Sequence, residues 1–497
     1  MSHQQIWNFI GGAYKAAASG QTSHNTNPAT GERLGEVTAS GVEDVEAAVA
    51  AARAALPAWK SLPSPKRGEI LWRAADIMRR RKDELSRALT MEEGKSLTDA
   101  GGEVHRAANC LEFAAGEGRR MHGQVIPSEL GNNMIYTRRI PLGVVALVTP
   151  WNFPVAIPVW KAAAALICGN TVVLKPASAT PWTAKLITDI FQEAGMPAGV
   201  WNVLFGSGGK VRDALTQHPH VEAISFTGSN DIGQRLYSLG ATHKKKVQCE
   251  MGGKNAIIVL DDADLELAAA ATVQGAFYST GQRCTATSRA VVMRSVAARF
   301  REQVIERTRQ LKVGNGLVPG VNVGPVVDEK QLATVLRYID IGKQEATLLE
   351  GGQRLGGELA SGYFVAPTVF GDVKTDYTIA QEEIFGPVLS IIEVEDEAEA
   401  ITVANHSRYG LSSSVYTRDI GRVFRYIDQV ETGILHVNSA TVGGEAQVPF
   451  GGLKDTGVGG REQGTTMLEF FTEWQSVYID YTGTRRTIRK LWRGEPL

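Results

Sequence analysis

The sequence contains little cysteine, and its cysteines are not spaced for binding metal or for cross-linking. Only four are present in 497 residues, at Cys110, Cys168, Cys249 and Cys284, and no two of them form a CxxC pair. This spacing argues against a zinc site and a disulfide framework, and it fits a reducing compartment. We therefore expect a cytoplasmic protein without a bound metal.

An excess of charge and a long apolar run are also missing. The formal net charge is -1 at pH 7, and the basic runs at 243–246 and 485–486 are short. Nothing in this charge pattern favours nucleic acid or an anionic membrane. The most apolar stretch, residues 154–168, contains Lys161 and is too short to span a bilayer, and residues 1–20 lack the pattern of a secretory signal. The sequence thus predicts a protein that binds neither nucleic acid nor membrane.

What is present is material for a large α/β protein, with 43% hydrophobic residues and a length that suggests two or three domains. After a mostly helical beginning, short β-branched runs alternate with alanine-rich helical segments, which is typical of parallel sheets. The predicted helices are 42–58, 65–90 and 101–123, and the predicted strands are 143–148, 171–175, 200–205, 223–227, 289–293, 389–394 and 433–438. Ligands of such sheets bind at the carboxyl ends of the strands.

Two further predicted strands, 133–140 and 476–481, lie outside the alternating regions. Exposed strand edges are prone to pairing with other chains unless they are covered. We expect these strands to pair with each other or with a partner subunit, and a local hairpin is the alternative.

Cys284 is the candidate nucleophile. It lies in the run 278–285, YSTGQRCT, which is too polar for a typical core segment. A cationic neighbour or a helix N-terminus lowers the pKa of a thiol, and Arg283 is adjacent. The alternative is a buried, inert thiol that only fills space.

Several motifs occur in an order and spacing that resemble the aldehyde dehydrogenase superfamily along essentially the whole chain. They are 149–154 (TPWNFP), 175–178 (KPAS), 226–229 (FTGS) with Gly233, 250–254 (EMGGK), 281–284 (GQRC), 382–387 (EEIFGP) and 449–452 (PFGG). The resemblance implies an α/β fold with a Rossmann-type cofactor domain, an α/β catalytic domain and a β oligomerisation flap in a homo-oligomer, a dimer or tetramer. The implied ranges are 1–123, 142–252 and 450–471 for NAD(P) binding, 253–449 for catalysis, and 124–141 and 472–497 for oligomerisation.

The resemblance also implies the catalytic residues: Cys284 as nucleophile, Glu250 as general base, Asn152 as oxyanion-hole donor, and Lys175. Thiolate attack on an aldehyde creates a tetrahedral oxyanion, from which hydride passes to the nicotinamide and leaves a thioester for hydrolysis. Glu250 would activate the water, preferably with a raised pKa. Taken singly, Asn152 is more typical of a turn or helix N-cap, and Glu250 of a surface carboxylate.

For the cofactor, the resemblance places Lys175 at the adenosine ribose, Gly206 and Gly208 near the adenine, and Glu383 and Phe385 at the nicotinamide. The other implied contacts are Thr149, Pro150, Trp151, Ser178, Thr227, Gly228, Ser229 and Gly233. Many NAD-preferring members carry glutamate where this chain has Ser178. A hydroxyl beside Lys175 accommodates a 2′-phosphate, so we expect NADP to be preferred, with NAD also used. Ordinary turns are the alternative for the glycines.

For the substrate, the candidates are Arg283, Trp160 and Phe153, with Arg283 able to bind a distal carboxylate or to support a loop. The chain resembles most the 2-oxoglutarate semialdehyde (2,5-dioxopentanoate) dehydrogenases, then succinate semialdehyde dehydrogenases and non-phosphorylating glyceraldehyde-3-phosphate dehydrogenases. A CoA-acylating enzyme and a catalytically silent protein on this fold are the competing hypotheses. Two departures from the family pattern are Arg212 and one additional residue near Gly460.

Overall fold

The computed structural model describes residues 4–484, in which helices and strands alternate along most of the chain. The helices are α1 (Val42–Ser61), α2 (Ser64–Arg80), α3 (Lys82–Glu93), α4 (Leu97–Glu117), α5 (Ala156–Ile167), α6 (Pro181–Glu193), α7 (Gly208–Gln217), α8 (Asn230–Thr242), α9 (Leu265–Phe277), α10 (Arg294–Arg309), α11 (Glu329–Glu345), α12 (Thr378–Gln381), α13 (Glu397–Asn405), α14 (Ile420–Gln429) and α15 (Met467–Phe471). The strands are β1 (Gln4–Ile6), β2 (Asn8–Ile10), β3 (Ala13–Lys15), β4 (Thr22–Thr26), β5 (Arg33–Thr38), β6 (Val125–Ile126), β7 (Asn133–Pro141), β8 (Val144–Val148), β9 (Thr171–Lys175), β10 (Trp201–Val203), β11 (Ala223–Thr227), β12 (Lys246–Glu250), β13 (Asn255–Val259), β14 (Thr287–Met293), β15 (Thr347–Glu350), β16 (Thr368–Gly371), β17 (Val388–Val394), β18 (Tyr409–Gly410), β19 (Ser412–Tyr416), β20 (Ile434–Val437), β21 (Leu453–Lys454), β22 (Gly457–Val458) and β23 (Thr472–Asp480). None of the helices in this described part combines the length and apolarity needed to cross a membrane.

The first large sheet has eight strands in the order β22-β12-β11-β8-β9-β10-β2-β3. Its centre, from β12 to β10, is parallel, and antiparallel strands flank it on both sides. Strands β8, β9 and β11 are buried at every residue because helices cover both faces, as in other parallel sheets. The four strands predicted for this region are confirmed, each followed by a helix.

The second large sheet has seven strands in the order β15-β16-β17-β14-β13-β19-β20, and all its pairs except β15–β16 are parallel. The chain passes from the first sheet to the second between Glu250, the end of β12, and Asn255, the start of β13. Because Cys284 precedes β14 in the second sheet, the cysteine and Glu250 approach each other from different sheets. The predicted strands 289–293, 389–394 and 433–438 correspond to β14, β17 and β20.

The third sheet has the order β23-β7-β6. Strand β23 pairs antiparallel with β7 along nine residues, from Thr472 opposite Pro141 to Asp480 opposite Asn133. The predicted pairing of the two isolated strands is therefore confirmed. Strand β7 also forms a short local pair with β6, at Tyr136 and Ile135.

The beginning of the chain differs from the mostly helical prediction, because β1 to β5 precede α1. These strands are three to six residues long and turn at Gly11 and Gly12, where φ is positive. The predicted helix 65–90 is two helices, α2 and α3, which meet at Arg81 with φ −95° and ψ 17°. A bend of this kind leaves no signal in the apolar periodicity on either side of it.

Candidate active site

Cys284 follows a tight turn at 278–281 in which the backbone takes unusual conformations. Ser279 and Thr280 have φ values of 52° and 59°, and Gly281 has φ 65°. A Cβ on Gly281 would lie 2.3 Å from the carbonyl oxygen of Gly386, so no side chain fits there. Left-handed backbone at non-glycine residues is concentrated at functional sites. The carbonyl of Cys284 is fixed by a 2.8 Å hydrogen bond from Asn255 Nδ2.

Two cavities meet at the thiol. The first, of about 260 Å³, extends toward α4 and is lined by Cys284 together with Glu250 and a mixture of aromatic and charged side chains. The second, of about 210 Å³, runs along the carboxyl ends of the parallel strands of the first sheet. Cys284, Thr227 and Met251 line both. Cys284 is only partly buried, and a nucleophile at this junction could reach one ligand in each cavity.

Asn152 lies in the second cavity, on the loop after β8. Its side chain is buried, and Nδ2 donates a 3.1 Å hydrogen bond to the carbonyl of Gln282, two residues before the thiol. Helix α5 begins four residues later, with Val155 as its N-cap, so Asn152 is not the cap of that helix. The second N–H of the Asn152 amide is available to an oxygen at the reacting carbon.

Glu250 is buried at the end of β12, and neither of its carboxylate oxygens has a hydrogen-bond partner within residues 4–484. Burial raises the pKa of Glu250 well above its ordinary value, and the nearby Glu462 raises it further. The absence of a side chain at Gly451 leaves room for this carboxyl, because a Cβ there would lie 2.5 Å from Glu250 Oε1. A desolvated carboxyl with no fixed partner suits a general base.

A buried cluster behind Glu250 was not anticipated from the sequence. Lys161 Nζ pairs with Glu462 and donates a 2.8 Å hydrogen bond to Ser225 Oγ, and Trp160 Nε1 donates to Glu462 Oε2 at 2.7 Å. The indole N–H of Trp160 is thus hydrogen-bonded to Glu462, while the ring of Trp160 lines the first cavity. The available signal was Lys161 itself, since a lysine in an otherwise apolar helix needs a buried partner.

The expectation that Arg283 lowers the pKa of the thiol is wrong. Burial raises the pKa of Cys284 to about 12, and the carboxylates of Glu383 and Glu250 act in the same direction. Arg283 instead donates to Asp99 Oδ1 at 2.9 Å and to Ser279 Oγ at 2.7 Å. The charge next to Cys284 in sequence is therefore neutralised in space, and the thiol needs a base to become a thiolate.

The second cavity fits a dinucleotide cofactor. Thr149 and Thr227 carry buried hydroxyls that have no partner within the described residues. Helix α8 starts behind Ser229 without a side-chain cap, so its first N–H groups are open to phosphate. The predicted cofactor residues that line this cavity are Pro150, Trp151, Thr227, Gly228, Ser229, Glu383 and Phe385, whereas Thr149, Lys175, Ser178, Gly208 and Gly233 lie outside its lining.

The glycines of this region have different tasks. A Cβ on Gly233 would lie 2.3 Å from Met251 Sδ, and one on Gly228 would lie 2.5 Å from the ring of Phe226. Gly206 packs equally closely, with a Cβ 2.9 Å from the Ser40 nitrogen. Gly208 does not, because its Cβ would meet only Arg212 Nη1, at 4.0 Å. Of the two glycines that the resemblance places near the adenine, Gly206 is thus closely packed and Gly208 is not.

Lys175 is buried at the end of β9, so it is not a solvated strand end. Burial lowers the pKa of Lys175 to about 8, and the nearby charge of Arg212 contributes. Ser178 Oγ donates a 2.9 Å hydrogen bond to the carbonyl of Gly206, which joins the loops after β9 and β10. Lys175, Ser178 and Arg212 therefore lie near one another beside the carboxyl ends of β9 and β10, and this locates the unexplained arginine.

Comparison with known proteins decides the family. The aldehyde dehydrogenase family model matches residues 14–477. This chain belongs to the aldehyde dehydrogenase family. It is an NAD(P)-dependent aldehyde dehydrogenase, which acts on a small aldehyde.

Relatives of this aldehyde dehydrogenase match it over nearly their whole length. It is 46% identical over 475 residues to the alpha-ketoglutaric semialdehyde dehydrogenase of Bacillus subtilis (strain 168), covering 95% of this chain and 97% of the relative. It is 41% identical to the 2,5-dioxopentanoate dehydrogenase of Saccharolobus solfataricus, covering 93% and 96%. Among solved structures, an E. coli NADP-dependent enzyme matches with TM-score 0.93 and 38% identity, covering 96% and 98%. The betaine aldehyde dehydrogenase of Staphylococcus aureus in complex with NAD+ matches with TM-score 0.94 and 33% identity, covering 97% and 96%.

One face of α4 completes the first cavity of this aldehyde dehydrogenase and was missed from the sequence. Asp99, Gly102, Glu103 and Arg106 all line the cavity, as do the predicted residues Phe153 and Arg283. Their spacing puts them on one side of a helix. The sequence did contain a sign of this, since charged residues recur on one face of a helix that is otherwise buried. Only the packing of α4 against the loop after β8 shows that this face lines a cavity.

Proposed function

We propose that this aldehyde dehydrogenase oxidises 2-oxoglutarate semialdehyde to 2-oxoglutarate. The observation that carries the proposal is Arg106, the cation of the first cavity that has no carboxylate partner in the described part of the chain. Its Nη1 donates to the carbonyl of Gly444 and its Nη2 to Gln463 Oε1 at 3.0 Å, both neutral oxygens. The other lining arginine, Arg283, is paired with Asp99. A short aldehyde with a distal carboxylate fits a cavity with a thiol at one end and an unpaired guanidinium in its wall. The names of the relatives support the same substrate.

The steps carried out by the protein's own residues follow from the burial of two titratable groups, Glu250 and Cys284. Glu250, whose pKa is raised, takes the proton of the Cys284 thiol through a water, and the sulfur adds to the aldehyde carbon. The resulting oxyanion accepts hydrogen bonds from Asn152 Nδ2 and the Cys284 N–H, and losing one such donor costs about 2.7 to 4 kcal/mol of barrier. NAD(P), when bound, supplies the acceptor for the hydride of the substrate. Glu250 passes that proton to solvent and then takes a proton from the water that attacks the thioester, and the adduct collapses to the free acid and the Cys284 thiolate, which is reprotonated.

Initial rates with each of three aldehydes test this proposal: 2-oxoglutarate semialdehyde, succinic semialdehyde and glyceraldehyde 3-phosphate, with NAD or NADP and without CoA. We expect the first to have the highest kcat/KM and to yield the free acid. A strict requirement for CoA would establish the acylating alternative instead, and a silent protein would reduce neither cofactor. If an uncharged aldehyde of the same length is the best substrate, the role of the cavity arginines is refuted.

We propose that NADP is the preferred cofactor and NAD is also used. Lys175 and Arg212 lie beside the carboxyl ends of β9 and β10, where Ser178 supplies a hydroxyl, and Arg212 uses its Nε on Asp213 Oδ1 at 3.0 Å while both of its Nη groups stay available to a phosphate. A 2′-phosphate gains from both charges, whereas a ribose hydroxyl does not. Replacement of Arg212 by Gln should lower kcat/KM with NADP by about tenfold and leave that with NAD unchanged. An equal loss with both cofactors would contradict the assignment.

We also propose that the enzyme is a homo-oligomer, a dimer or tetramer, in which β23 and β7 belong to the interface. Strand β23 lies at the edge of its sheet and exposes Trp474, Tyr478 and Ile479 at 47%, 68% and 42%. Helix α14 exposes Ile420 and Phe424 at 69% and 60%. Exposed apolar patches and open strand edges of this kind are typically covered by another subunit. Light scattering after size-exclusion chromatography should give two or four chains, and a monomer would refute the proposal.

A further inference from the structure

A buried ion pair lies next to the loop that carries Asn152. Lys95 stands between α3 and α4 and is 1% exposed. Its Nζ donates to Glu103 Oε2 at 2.7 Å and to the backbone carbonyl of Asn152 at 2.6 Å. It also lies 4.3 Å from the centre of the Phe153 ring. The lysine therefore fixes the peptide group of the residue whose side chain faces the thiol.

Glu103 holds the other end of the same loop. Its Oε1 accepts hydrogen bonds from the N–H groups of Val155 and Ala156, at 2.8 and 3.0 Å. These are donors of the first turn of α5, which no side chain of the loop itself caps. Lys95 and Glu103 together anchor residues 152 to 156 from outside, on both sides of Phe153 and Pro154.

Fold stability alone does not explain this pair. Taking a lysine and a glutamate out of water costs several kcal/mol for each ion, and apolar side chains of similar volume are often as stable or better. Lys95 Nζ also lies 4.0 Å from the buried Oε1 of Glu93, and the remaining hydrogen bonds of the Lys95 and Glu103 side chains all go to residues 152–156 after β8. Catalytic geometry must be held to a fraction of an ångström, and a misplacement of about 1 Å costs about 100-fold in rate.

We propose that Lys95 and Glu103 are positioning residues that set the oxyanion-hole donor of this enzyme. The proposal rests on the role proposed for Asn152. The ion pair fixes the backbone of residues 152 to 156, and the side-chain amide of Asn152, tied to the Gln282 carbonyl, is thereby aimed at the carbon attacked by Cys284. Neither residue touches the reacting atoms, so both act through Asn152.

The test is a coupling experiment on the rate of acylation, measured as the burst of reduced nicotinamide in stopped flow. The main variant is Lys95→Met/Glu103→Gln, which removes both charges of the 2.7 Å pair together; Glu93, whose Oε1 lies 4.0 Å from Lys95 Nζ, keeps the 2.9 Å hydrogen bond that its Oε2 accepts from the Lys95 N–H. The aldehyde is whichever of the three proposed substrates the unmodified enzyme oxidises fastest. Lys185→Met/Asp189→Asn is the matched control, because it removes a half-buried pair of the same 2.7 Å separation on α6.

We expect the burst rate of the main variant to fall about 10- to 100-fold, with dinucleotide affinity within about twofold and the control unchanged. Asn152→Ala should lower the burst rate about 100- to 1,000-fold. When the substitutions of the main variant are added to Asn152→Ala, the burst rate should change less than about threefold further. A purely structural role predicts that the two losses multiply, and that result overturns the proposal, as does an unchanged burst in the main variant. If the main variant does not fold, Glu103→Gln alone is the milder substitute. It should lower the burst rate by a smaller factor, and that loss should again disappear in the Asn152→Ala background. If Asn152→Ala keeps the full burst rate, the proposed role of Asn152 is refuted. If Asn152→Ala loses the burst but the main variant keeps it, only the positioning role of Lys95 and Glu103 is refuted.

Discussion

Arg106 provides the sharpest test of substrate recognition. A guanidinium has five N–H donors, and Arg106 uses one on the Gly444 carbonyl and one on Gln463, so three remain for a carboxylate. A hydrogen bond to a charged group contributes about 1.5 to 3 kcal/mol, which is about 10- to 150-fold in kcat/KM. We expect Arg106→Met to lower kcat/KM for 2-oxoglutarate semialdehyde by that factor, mostly through KM.

Two comparisons make the effect specific. An uncharged aldehyde of similar length should keep its kcat/KM within about threefold in Arg106→Met, because no carboxylate contact is lost. Arg283→Met should instead leave Asp99 unpaired, at 14% side-chain exposure, and lower the free energy of unfolding by about 1 to 3 kcal/mol. Steady-state kinetics and thermal unfolding measure both. If Arg283→Met abolishes the preference for the carboxylated aldehyde and Arg106→Met does not, the reasoning from charge pairing is refuted.

The other predictions concern the titratable groups. Glu250→Gln should slow the burst of reduced cofactor and abolish turnover, since Glu250 takes the thiol proton and then activates the hydrolytic water; a burst at the unmodified rate would exclude Glu250 from the first step. The same variant should be more heat-stable than the unmodified protein, increasingly so at alkaline pH, because a carboxyl whose folded-state pKa is raised opposes folding once it ionises. The pKa of Lys175 is about 8, so its positive charge is lost above that pH, and kcat/KM with NADP should fall by about tenfold relative to NAD between about pH 7 and pH 9; a constant ratio would exclude Lys175 from the phosphate site. Cys284→Ala should abolish turnover with dinucleotide affinity within about twofold, and unchanged turnover would remove the thiol from the mechanism.

Local sequence patterns were sufficient for β8, β9, β10 and β11 of the first large sheet and for β14, β17 and β20 of the second. Strands such as β9, with TVVLK, are buried on both faces, and a run of β-branched residues between glycines reports that directly. Cys284, Glu250 and Asn152 were also predictable, because each stands in a short motif at the end of a strand or turn. The strands before α1 were not, since three-residue strands are held by their neighbours in the sheet rather than by their own pattern.

The additional residue near Gly460 also depends on tertiary structure. Gly459 and Gly460 both have positive φ, at 88° and 103°, and a Cβ on Gly459 would lie 2.0 Å from the carbonyl of Val247. The turn that they form lets the chain leave β22 and still place Glu462 beside Lys161. The family pattern indicates the additional residue, while only its surroundings show that two glycines accommodate it.

The sequence by itself determined the family, the parallel sheets and the reacting trio, because those depend on residue types in short, ordered segments. Only the tertiary structure decided which charged side chains are paired, which face the site and which pKa values are shifted. It paired Arg283 with Asp99, left Arg106 facing the thiol cavity, placed Lys95 and Glu103 behind Asn152, and raised the pKa of Cys284. Burial and pairing depend on residues that come together from distant parts of the chain. A charged residue next to the nucleophile in sequence can therefore be paired, as Arg283 is, while a distant one such as Arg106 faces the cavity without a carboxylate partner.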